Sequence, residues 1–300
     1  MKRWLMVAAL AILSGAALYY SERQKNASRV GPQAMLNALA ETQREISRVP
    51  ARFARLSDEE ETRIGASLAQ GYSTGYGSQR EPSDAAMEQY VNAVGRHVAA
   101  RAVRKFDYRF YYLPNPGFVN AFALPGGHIF IGKGLLMLMD SEDELASVLG
   151  HEVEHVDHFH CNERVMIEAR LRSLPLASLM ALPVELFQVG YSKEQEFEAD
   201  HDGAYLAVMA GYAPQGAVRM FQAFERLDRQ YVTRAETPSE ELSQAAIESI
   251  TGYFRSHPLP WEREQQIQRW IASEQWPQRQ ERPLRVRVGA ARDEKKTPSS

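Results

Sequence analysis

The sequence predicts a mainly helical α+β domain, because segments that carry helix-start signals surround a short strand-like region. Three segments open with a capping box, in which Ser and a Glu or Gln three residues later cap the first turn: Ser57-Asp58-Glu59-Glu60, Ser141-Glu142-Asp143-Glu144 and Ser192-Lys193-Glu194-Gln195. Residues 106–131 instead contain short aromatic and β-branched runs broken by Pro and Gly, which predict strands. Helical periodicity dominates again over residues 141–270.

The predicted elements form one large domain over residues 57–275. Before it, residues 21–56 predict a linker and a helix from Pro32 to Ser47. Within it we expect, in order, a helix from Ser57, a loop over Gly71–Ser83, a helix over Asp84–Val103, strands over Phe106–Leu113, Asn120–Leu124 and His128–Ile131, and helices from Glu142 and from Ser192 to Gly211. After it, the Arg- and Pro-rich residues 276–300 predict a disordered tail.

The composition restricts the classes of function. The chain has 300 residues, of which 44% are hydrophobic, enough for one sizeable core. A net charge of −3 gives no basic excess to neutralise phosphates, so we predict no nucleic-acid partner. The single cysteine, Cys161, excludes an intrachain disulfide and a four-cysteine zinc site. Histidines and carboxylates must therefore hold any metal.

The first twenty residues have the pattern of a targeting segment. Lys2 and Arg3 precede an apolar run, Trp4 to Tyr20, which is long for a signal-peptide core and slightly short for a membrane span. Small residues near Ala16 fit signal cleavage, whereas the tyrosines that end the run fit a membrane interface. Residues 1–20 are thus predicted to be a signal peptide or an uncleaved anchor. Either predicts a periplasmic protein of the cell envelope, with residues 4–20 as the inner-membrane anchor where they are retained.

The segment His151-Glu152-Val153-Glu154-His155 predicts a metal site on the helix that opens at Glu142. At about 100° per residue, His151 and His155 lie one turn apart on the same face, beside an apolar stripe. Glu152 projects between the stripe and the histidines, where it can hydrogen-bond a water without binding the metal. His158 lies about 10 Å further along the axis and is expected to be solvated or substrate-facing. His160 is expected on the polar surface.

A third ligand is predicted on the helix that opens at Ser192. Glu196 and Asp200 share one face, and Gly203 continues it without a bulky side chain, so another helix can approach closely. Glu196 would complete a His2Glu site with an open fourth position for water. Asp200 would orient an imidazole by accepting its free N–H. Glu198 and His201 point to other faces and are expected to be solvated.

Five motifs together resemble a known family. They are HEVEH at 151–155, EFEAD at 196–200, NAFALPGGHIFIGKGLL at 120–136, GYAPQGAVRMF at 211–221 and HPLPWER at 257–263. The sequence resembles the zinc metallopeptidase family of the CAAX prenyl proteases and the HtpX-like proteases, metallopeptidase family forty-eight. The resemblance implies a mainly helical gluzincin-type domain, one zinc ion on His151, His155 and Glu196, and Glu152 as the catalytic base. Without several membrane spans, the chain is most similar to the small exported or periplasmic members.

Three further features of the resembling motifs have open roles. His257 is a candidate oxyanion donor, a fourth zinc ligand in a resting state, or a structural histidine before proline. Arg263 is expected to pair with a carboxylate near the site. The segment Gly127–Ile131, with His128 on its surface and Ile129, Phe130 and Ile131 continuing it, is expected to be an edge strand beside the active-site cleft that pairs with an extended substrate.

The apolar stretch Leu174–Val189 is too short and too interrupted by Pro175 and Pro183 for a membrane span. It is expected to be a lid, a lipid-contacting surface or a packed connecting segment.

The combined features predict a zinc metalloendopeptidase that hydrolyses unfolded or misassembled envelope proteins. Protein or peptide substrates, and the membrane through the N-terminal segment, are the expected partners. One alternative is a chaperone-like or assembly factor with latent protease activity, although an intact Glu152 would then have no use. Another is an aminopeptidase, but no separate acidic anchor for a substrate amine is evident.

Overall fold

The computed structural model describes residues 55–76, 81–188, 190–234 and 260–285, and it confirms a mainly helical α+β fold. Helices α1 to α8 span Asp58–Tyr76, Pro82–Ala99, Lys133–Leu136, Glu142–Asp157, His160–Leu171, Lys193–Met209, Gln215–Arg234 and Pro260–Ser273. Strands β1 to β3 span Arg109–Leu113, Ala121–Leu124 and His128–Gly132. Short 3-10 turns cover Pro125–Gly127, Leu176–Ala181 and Val184–Phe187.

The sheet has the strand order β1-β3-β2, so β3 is the central strand. It pairs with β1 in parallel and with β2 in antiparallel orientation. The prediction that Gly127–Ile131 forms an edge strand for substrate is therefore wrong, since both backbone edges of β3 are already paired. Ile129, Phe130 and Ile131 are fully buried, and His128 is also buried rather than on the surface. A continuous apolar run is typical of a strand that is covered on both faces. The apolar run of β3 therefore fits a buried central strand rather than an edge strand.

The helices that bear the candidate ligands start where the capping boxes predict. Ser141 caps α4 by accepting the Glu144 backbone N–H, and the Glu144 side chain caps the Ser141 N–H in return. Ser192 and Gln195 make the same reciprocal pair at the start of α6. Both predicted helix starts are confirmed, and they fix the rotation of each helix and hence the direction of its ligand side chains.

Helices α4 and α6 pack backbone to backbone through two glycines. A Cβ atom at Gly150 would lie 2.4 Å from the Gly203 carbonyl oxygen, and one at Gly203 would lie 2.5 Å from the His151 nitrogen. Contacts this short exclude any larger side chain at either position without a shift of the helices. The predicted close approach at Gly203 is confirmed, and it brings α6 directly against His151.

The structure can be compared with the predictions for three further segments. Helix α1 continues through Gly71 to Tyr76, so the loop begins later than predicted. The chain remains folded beyond residue 276, because Arg282 and Pro283 pair with the start of α4, where Ser141 bridges Pro283. The described part of the apolar stretch, residues 174–188, is only partly packed, since Leu179 is fully buried and Phe187 is 2% exposed, whereas Leu176 and Met180 are 47% and 41% exposed.

Some predictions lie outside the described residues. These are the N-terminal apolar run, the helix over residues 32–47, His257 and residues 286–300. Within the described ranges, no helix combines the length and the apolar character needed to cross a membrane.

Candidate metal centre

Helix α4 brings two imidazoles and one carboxylate into a buried site. The Nε2 atoms of His151 and His155 lie 3.0 Å apart. His151 is 8% exposed, His155 1% and Glu152 4%, so the side chains are shielded from bulk water. Buried polar groups of this kind require partners that compensate for lost hydration, and the neighbouring helices supply them.

Helix α6 places Glu196 against both imidazoles. Its Oε2 lies 3.5 Å from His151 Nε2, and its Oε1 lies 3.9 Å from His155 Nε2. The Tyr191 backbone N–H donates to Oε1 at 2.9 Å and fixes the carboxylate in this direction. Glu196 is fully buried. The structure therefore brings together the three side chains that the sequence predicted, although Glu196 lies 41 residues after His155 along the chain.

The spacing of these donor atoms fits a zinc ion. Zinc holds nitrogen and oxygen ligands at about 2.0–2.2 Å in a tetrahedron, which places the ligand atoms about 3.3 Å from one another. The two imidazole nitrogens lie 3.0 Å apart, and each lies 3.5 or 3.9 Å from a different oxygen of Glu196, so that one donor atom from each residue lies within 4.8 Å of the other two. The donors are two imidazoles and one carboxylate, a set that suits zinc and leaves a fourth position open. The residues present therefore fit the metal that the resemblance implies.

Asp200 and Arg263 support His151 from outside the site. The Oδ1 atom of Asp200 lies 3.1 Å from His151 Nδ1. Arg263, which is 2% exposed, donates from Nε and Nη2 to the two Asp200 oxygens at 2.7 and 2.5 Å. The expected pairing of Arg263 with a carboxylate near the site is thus present, and its partner is Asp200. This forked pair holds Asp200 in the orientation that an imidazole-supporting carboxylate needs.

The electrostatic field at the site favours a cation. Burial lowers the pKa of His151, but Asp200 and Glu196 outweigh burial and raise this pKa to about 9. Burial raises the pKa of Asp200, yet Arg263 and His151 outweigh it, so the Asp200 pKa lies below its ordinary value. Asp200 therefore remains ionised beside His151, and the field that stabilises an imidazolium also stabilises a metal ion.

The outer nitrogen of His155 is held by His160, a contact that the sequence did not predict. The two Nδ1 atoms lie 2.9 Å apart, and His160 is 3% exposed. The expected surface position of His160 is wrong because the helical projection stops applying where α4 ends at Asp157. Phe159 has a left-handed φ of 64°, and this turn directs His160 back under the site. A non-glycine residue with positive φ carries no reliable signal in a sequence.

Glu152 lies between the histidines and strand β2. Burial raises the pKa of Glu152, His151 and the Ala123 backbone N–H lower it, and the net result is a pKa of about 7. Glu152 lines the same cavity as His151 but is not one of the three residues whose donor atoms converge. A buried carboxylate with a pKa near neutrality is suited to proton transfer.

Strand β2, rather than β3, borders the site. Among the described strands β2 ends the sheet. Ala123 turns away from β3, since its carbonyl accepts from the Cys161 thiol at 3.6 Å and its backbone N–H faces Glu152, whose pKa it lowers. Ala121, two residues earlier, faces the same side, where its N–H donates to the Asn120 side-chain oxygen at 3.0 Å. The edge of the sheet on the side of Glu152 thus belongs to β2, whose four residues are all buried.

An apolar cavity opens next to the same side chains. It has a volume of about 430 Å³ including its mouth, and His151, Glu152, Asp200 and Arg263 line one wall. Ser147 and a set of apolar side chains line the rest: Ala121, Val148, Ala204, Ala217, Met220, Phe221 and Ile267. A concave apolar site with a few convergent polar groups is the usual form of a substrate pocket.

The remaining histidines have other surroundings. His158 is half-buried and lies 3.3 Å from Glu154 and 2.7 Å from Asp202. His201 lies between Asp202 and Glu274, so it is partnered rather than simply solvated. His128 lies 2.8 Å from the Tyr111 hydroxyl, and burial lowers its pKa to about 4. None of these three histidines therefore belongs to the cluster of donor atoms formed by His151, His155 and Glu196.

Comparison with known proteins gives concordant matches. Over 197 residues the chain is 28% identical to the beta-barrel assembly-enhancing protease of Yersinia pestis, covering 59% of this chain and 37% of that protein. Over 235 residues it is 25% identical to the mitochondrial metalloendopeptidase OMA1 of Schizosaccharomyces pombe, covering 75% and 65%. OMA1 of Arabidopsis thaliana is 33% identical over 121 residues, 38% of this chain and 25% of that protein. The chain thus matches less than two thirds of the length of each relative.

The sequence pattern of one protein family matches most of the predicted catalytic domain. Residues 85–271, well over half of the chain, match the family described as peptidase family M48. The matched span contains α4 and α6 and therefore every side chain of the buried site. The resemblance inferred from the five motifs is confirmed: the chain belongs to peptidase family M48.

Proposed function

We propose that the protein is a zinc metalloendopeptidase whose ion is held by His151, His155 and Glu196. The observation that carries this proposal is the convergence of two imidazole nitrogens and a carboxylate, with donor atoms within 4.8 Å of one another and with Glu152 in the same buried site. The family and the two relatives named as proteases support hydrolysis of peptide bonds. We propose residues 57–275 as the catalytic domain.

The chain's own residues account for the steps of hydrolysis. A bound zinc ion would supply Lewis acidity, which acidifies water and polarises a carbonyl. Glu152 takes a proton from the attacking water and delivers it to the leaving nitrogen. Asp200 and Arg263 keep His151 oriented during the reaction. The Ala121 carbonyl on the edge of β2 aligns an extended peptide by accepting a main-chain hydrogen bond, which tolerates many sequences.

Main-chain pairing and a recessed site favour extended substrates over folded ones. We propose unfolded or misassembled proteins of the cell envelope as substrates, a choice supported by the assembly role in the name of the Yersinia pestis relative. The N-terminal apolar run would deliver the domain to the periplasm or hold it at the membrane. His257, in the HPLPWER segment, is proposed as an oxyanion donor or a resting-state ligand.

Metal content and proteolysis together test the proposal. We expect one zinc per chain by elemental analysis, digestion of casein, loss of digestion after treatment with 1,10-phenanthroline, and recovery on adding zinc. Casein is a suitable substrate because it lacks stable structure. A protein purified without zinc that also fails to bind it, or one that digests casein equally with the chelator present, would refute the metalloendopeptidase.

The apolar cavity predicts a preference for the side chain next to the scissile bond. Ala217→Leu narrows the cavity and is expected to lower cleavage beside Leu or Phe by about 10- to 100-fold, while cleavage beside Ala changes little. Met220→Ala widens the cavity and should shift the preference in the opposite direction. Mass spectrometry of the peptides from denatured proteins gives the cleavage-site profile for each variant. Identical profiles in both variants and the wild type would show that the cavity does not select substrate.

A further inference from the structure

The tautomer of His155 is decided by its neighbour His160. His155 directs Nε2 at His151 and Glu196, and its Nδ1 lies 2.9 Å from the Nδ1 of His160. If Nε2 is to bind a cation, the ring must carry its proton on Nδ1. Only one of two nitrogens joined by a hydrogen bond can carry the proton, so Nδ1 of His160 is the acceptor.

The same reasoning continues to Glu198. Because His160 accepts at Nδ1, its neutral ring carries a proton on Nε2, which lies 3.4 Å from Glu198 Oε2. The result is a directed chain in which His155 donates to His160 and His160 donates to Glu198. Neither nitrogen of His160 faces the ligand atoms, so His160 acts through His155 and is not a fourth ligand.

The turn between α4 and α5 holds this chain in place. Phe159 adopts a left-handed φ of 64°, and such strain persists only where the surroundings enforce it. The guanidinium groups of Arg55 and Arg104 each lie 4.0 Å from the centre of the Phe159 ring. Arg104 is itself anchored, since it donates to Glu61 at 2.7 Å. The strained turn therefore delivers His160 to a fixed position beneath His155.

Packing alone does not explain a histidine at position 160. The Tyr191 ring stacks on His155 with centroids 4.1 Å apart, so the location of the His155 ring is already held by an apolar contact. His160 is 3% exposed, and water would not readily replace it as an acceptor. What His160 adds is a hydrogen-bond acceptor at one specific nitrogen.

We infer that His160 and Glu198 are positioning residues that hold His155 in its metal-binding tautomer. This inference rests on the proposed zinc site at His151, His155 and Glu196. It assigns to His160 the place that Asp200 holds for His151, so each imidazole of the site has its own acceptor. The two acceptors differ in charge, since Asp200 is an ionised carboxylate and His160 a neutral ring.

Zinc affinity of full-length variants, measured by competition with a chromogenic chelator, tests the inference. His160→Phe keeps a ring but removes the acceptor, and we expect zinc to bind about 10- to 100-fold more weakly. His160→Asn places an amide oxygen close to the former Nδ1 position and should recover most of the affinity. The absorption spectrum of the Co²⁺-substituted protein should change in His160→Phe and return towards the wild type in His160→Asn.

The role of Glu198 is tested by a double-mutant cycle. Glu198→Gln should weaken zinc binding a few-fold in the wild-type background. It should have no effect in the His160→Phe background, because the hydrogen bonds from His155 through His160 to Glu198 are already lost there. Glu194→Gln is the matched control, since Glu194 is an exposed glutamate on the same helix and loses the same charge. Equal effects of Glu194→Gln and Glu198→Gln would overturn the assignment of Glu198.

The outcomes separate this inference from the proposed function. Wild-type zinc affinity in His160→Phe, or no recovery in His160→Asn, would overturn the positioning role while leaving the metal centre intact. A wild-type protein that binds no zinc would overturn both. If His160→Phe does not fold, the zinc affinities of His160→Asn, Glu198→Gln and Glu194→Gln test the inference instead. An unchanged zinc affinity in Glu198→Gln would then reject the hydrogen-bond chain from His155 through His160 to Glu198.

Discussion

Glu152→Gln is expected to lower kcat/KM for peptide hydrolysis by about 10²- to 10⁴-fold without loss of zinc. The amide matches the carboxylate in shape and can still accept the Ala123 backbone N–H, so the fold of the site should be preserved. It cannot accept a proton from water. Cleavage of a fluorogenic peptide and elemental analysis of the same preparation measure the two effects separately.

Glu154→Gln is the matched control for this variant. Glu154 belongs to the same motif and helix and is 5% exposed, but its carboxylate faces His158 at 3.3 Å rather than the ligand atoms. We expect it to retain activity within a few-fold of the wild type. Retention of more than a tenth of the activity in Glu152→Gln would remove Glu152 from the role of base.

The Glu152 variant also separates the protease from the assembly-factor alternative. A protein that acts by holding unfolded chains needs the cleft and the β2 edge, but it has no need of a proton acceptor. Glu152→Gln should therefore retain binding of denatured casein while losing its cleavage. If Glu152→Gln fully replaces the wild-type protein in cells that lack it, the protein acts by binding unfolded chains rather than by hydrolysing them.

The features predictable from sequence are those that local chemistry determines. The capping boxes at Ser141 and Ser192 set where α4 and α6 begin, and from each start the helical period gives the direction of every following side chain. Glu196 and Asp200 share a face for that reason. The absence of a side chain at Gly203 predicted that another helix packs closely there. In the structure, that helix is α4, whose backbone at Gly150 lies against Gly203.

The features that sequence did not reveal depend on contacts between distant segments. The order of three strands is set by which edges find partners, and the central position of β3 contradicted an interpretation based on its own residues alone. The edge at Ala121 follows from that order. His160 reaches His155 only because the chain reverses at Phe159, whose strained backbone is held by Arg55 and Arg104. Such tertiary enforcement leaves no periodic pattern.

Removing Glu196 is expected to have the largest effect on metal binding. Glu196→Ala deletes one of three ligands, and we expect zinc to bind more than about 100-fold more weakly, beyond the range typical of a supporting residue. Equilibrium dialysis against zinc buffers measures the affinity. Because a ligand that binds only the folded state raises its stability, the thermal shift on adding zinc should also disappear in this variant.

Glu196→Gln distinguishes loss of a ligand from loss of structure. The Gln side chain keeps an oxygen that can accept the Tyr191 backbone N–H, which Glu196 accepts at 2.9 Å. We expect its melting temperature without metal to stay close to that of the metal-free wild type, whereas its zinc affinity falls as in Glu196→Ala because a neutral amide is a poor zinc ligand. Asp200 lies on the same face of α6, with its Oδ1 3.1 Å from His151 Nδ1, and is the carboxylate to test as a replacement for Glu196. Stoichiometric zinc in Glu196→Ala would therefore be followed by Asp200→Asn in the same background, and loss of zinc only in the double variant would make Asp200 the third ligand.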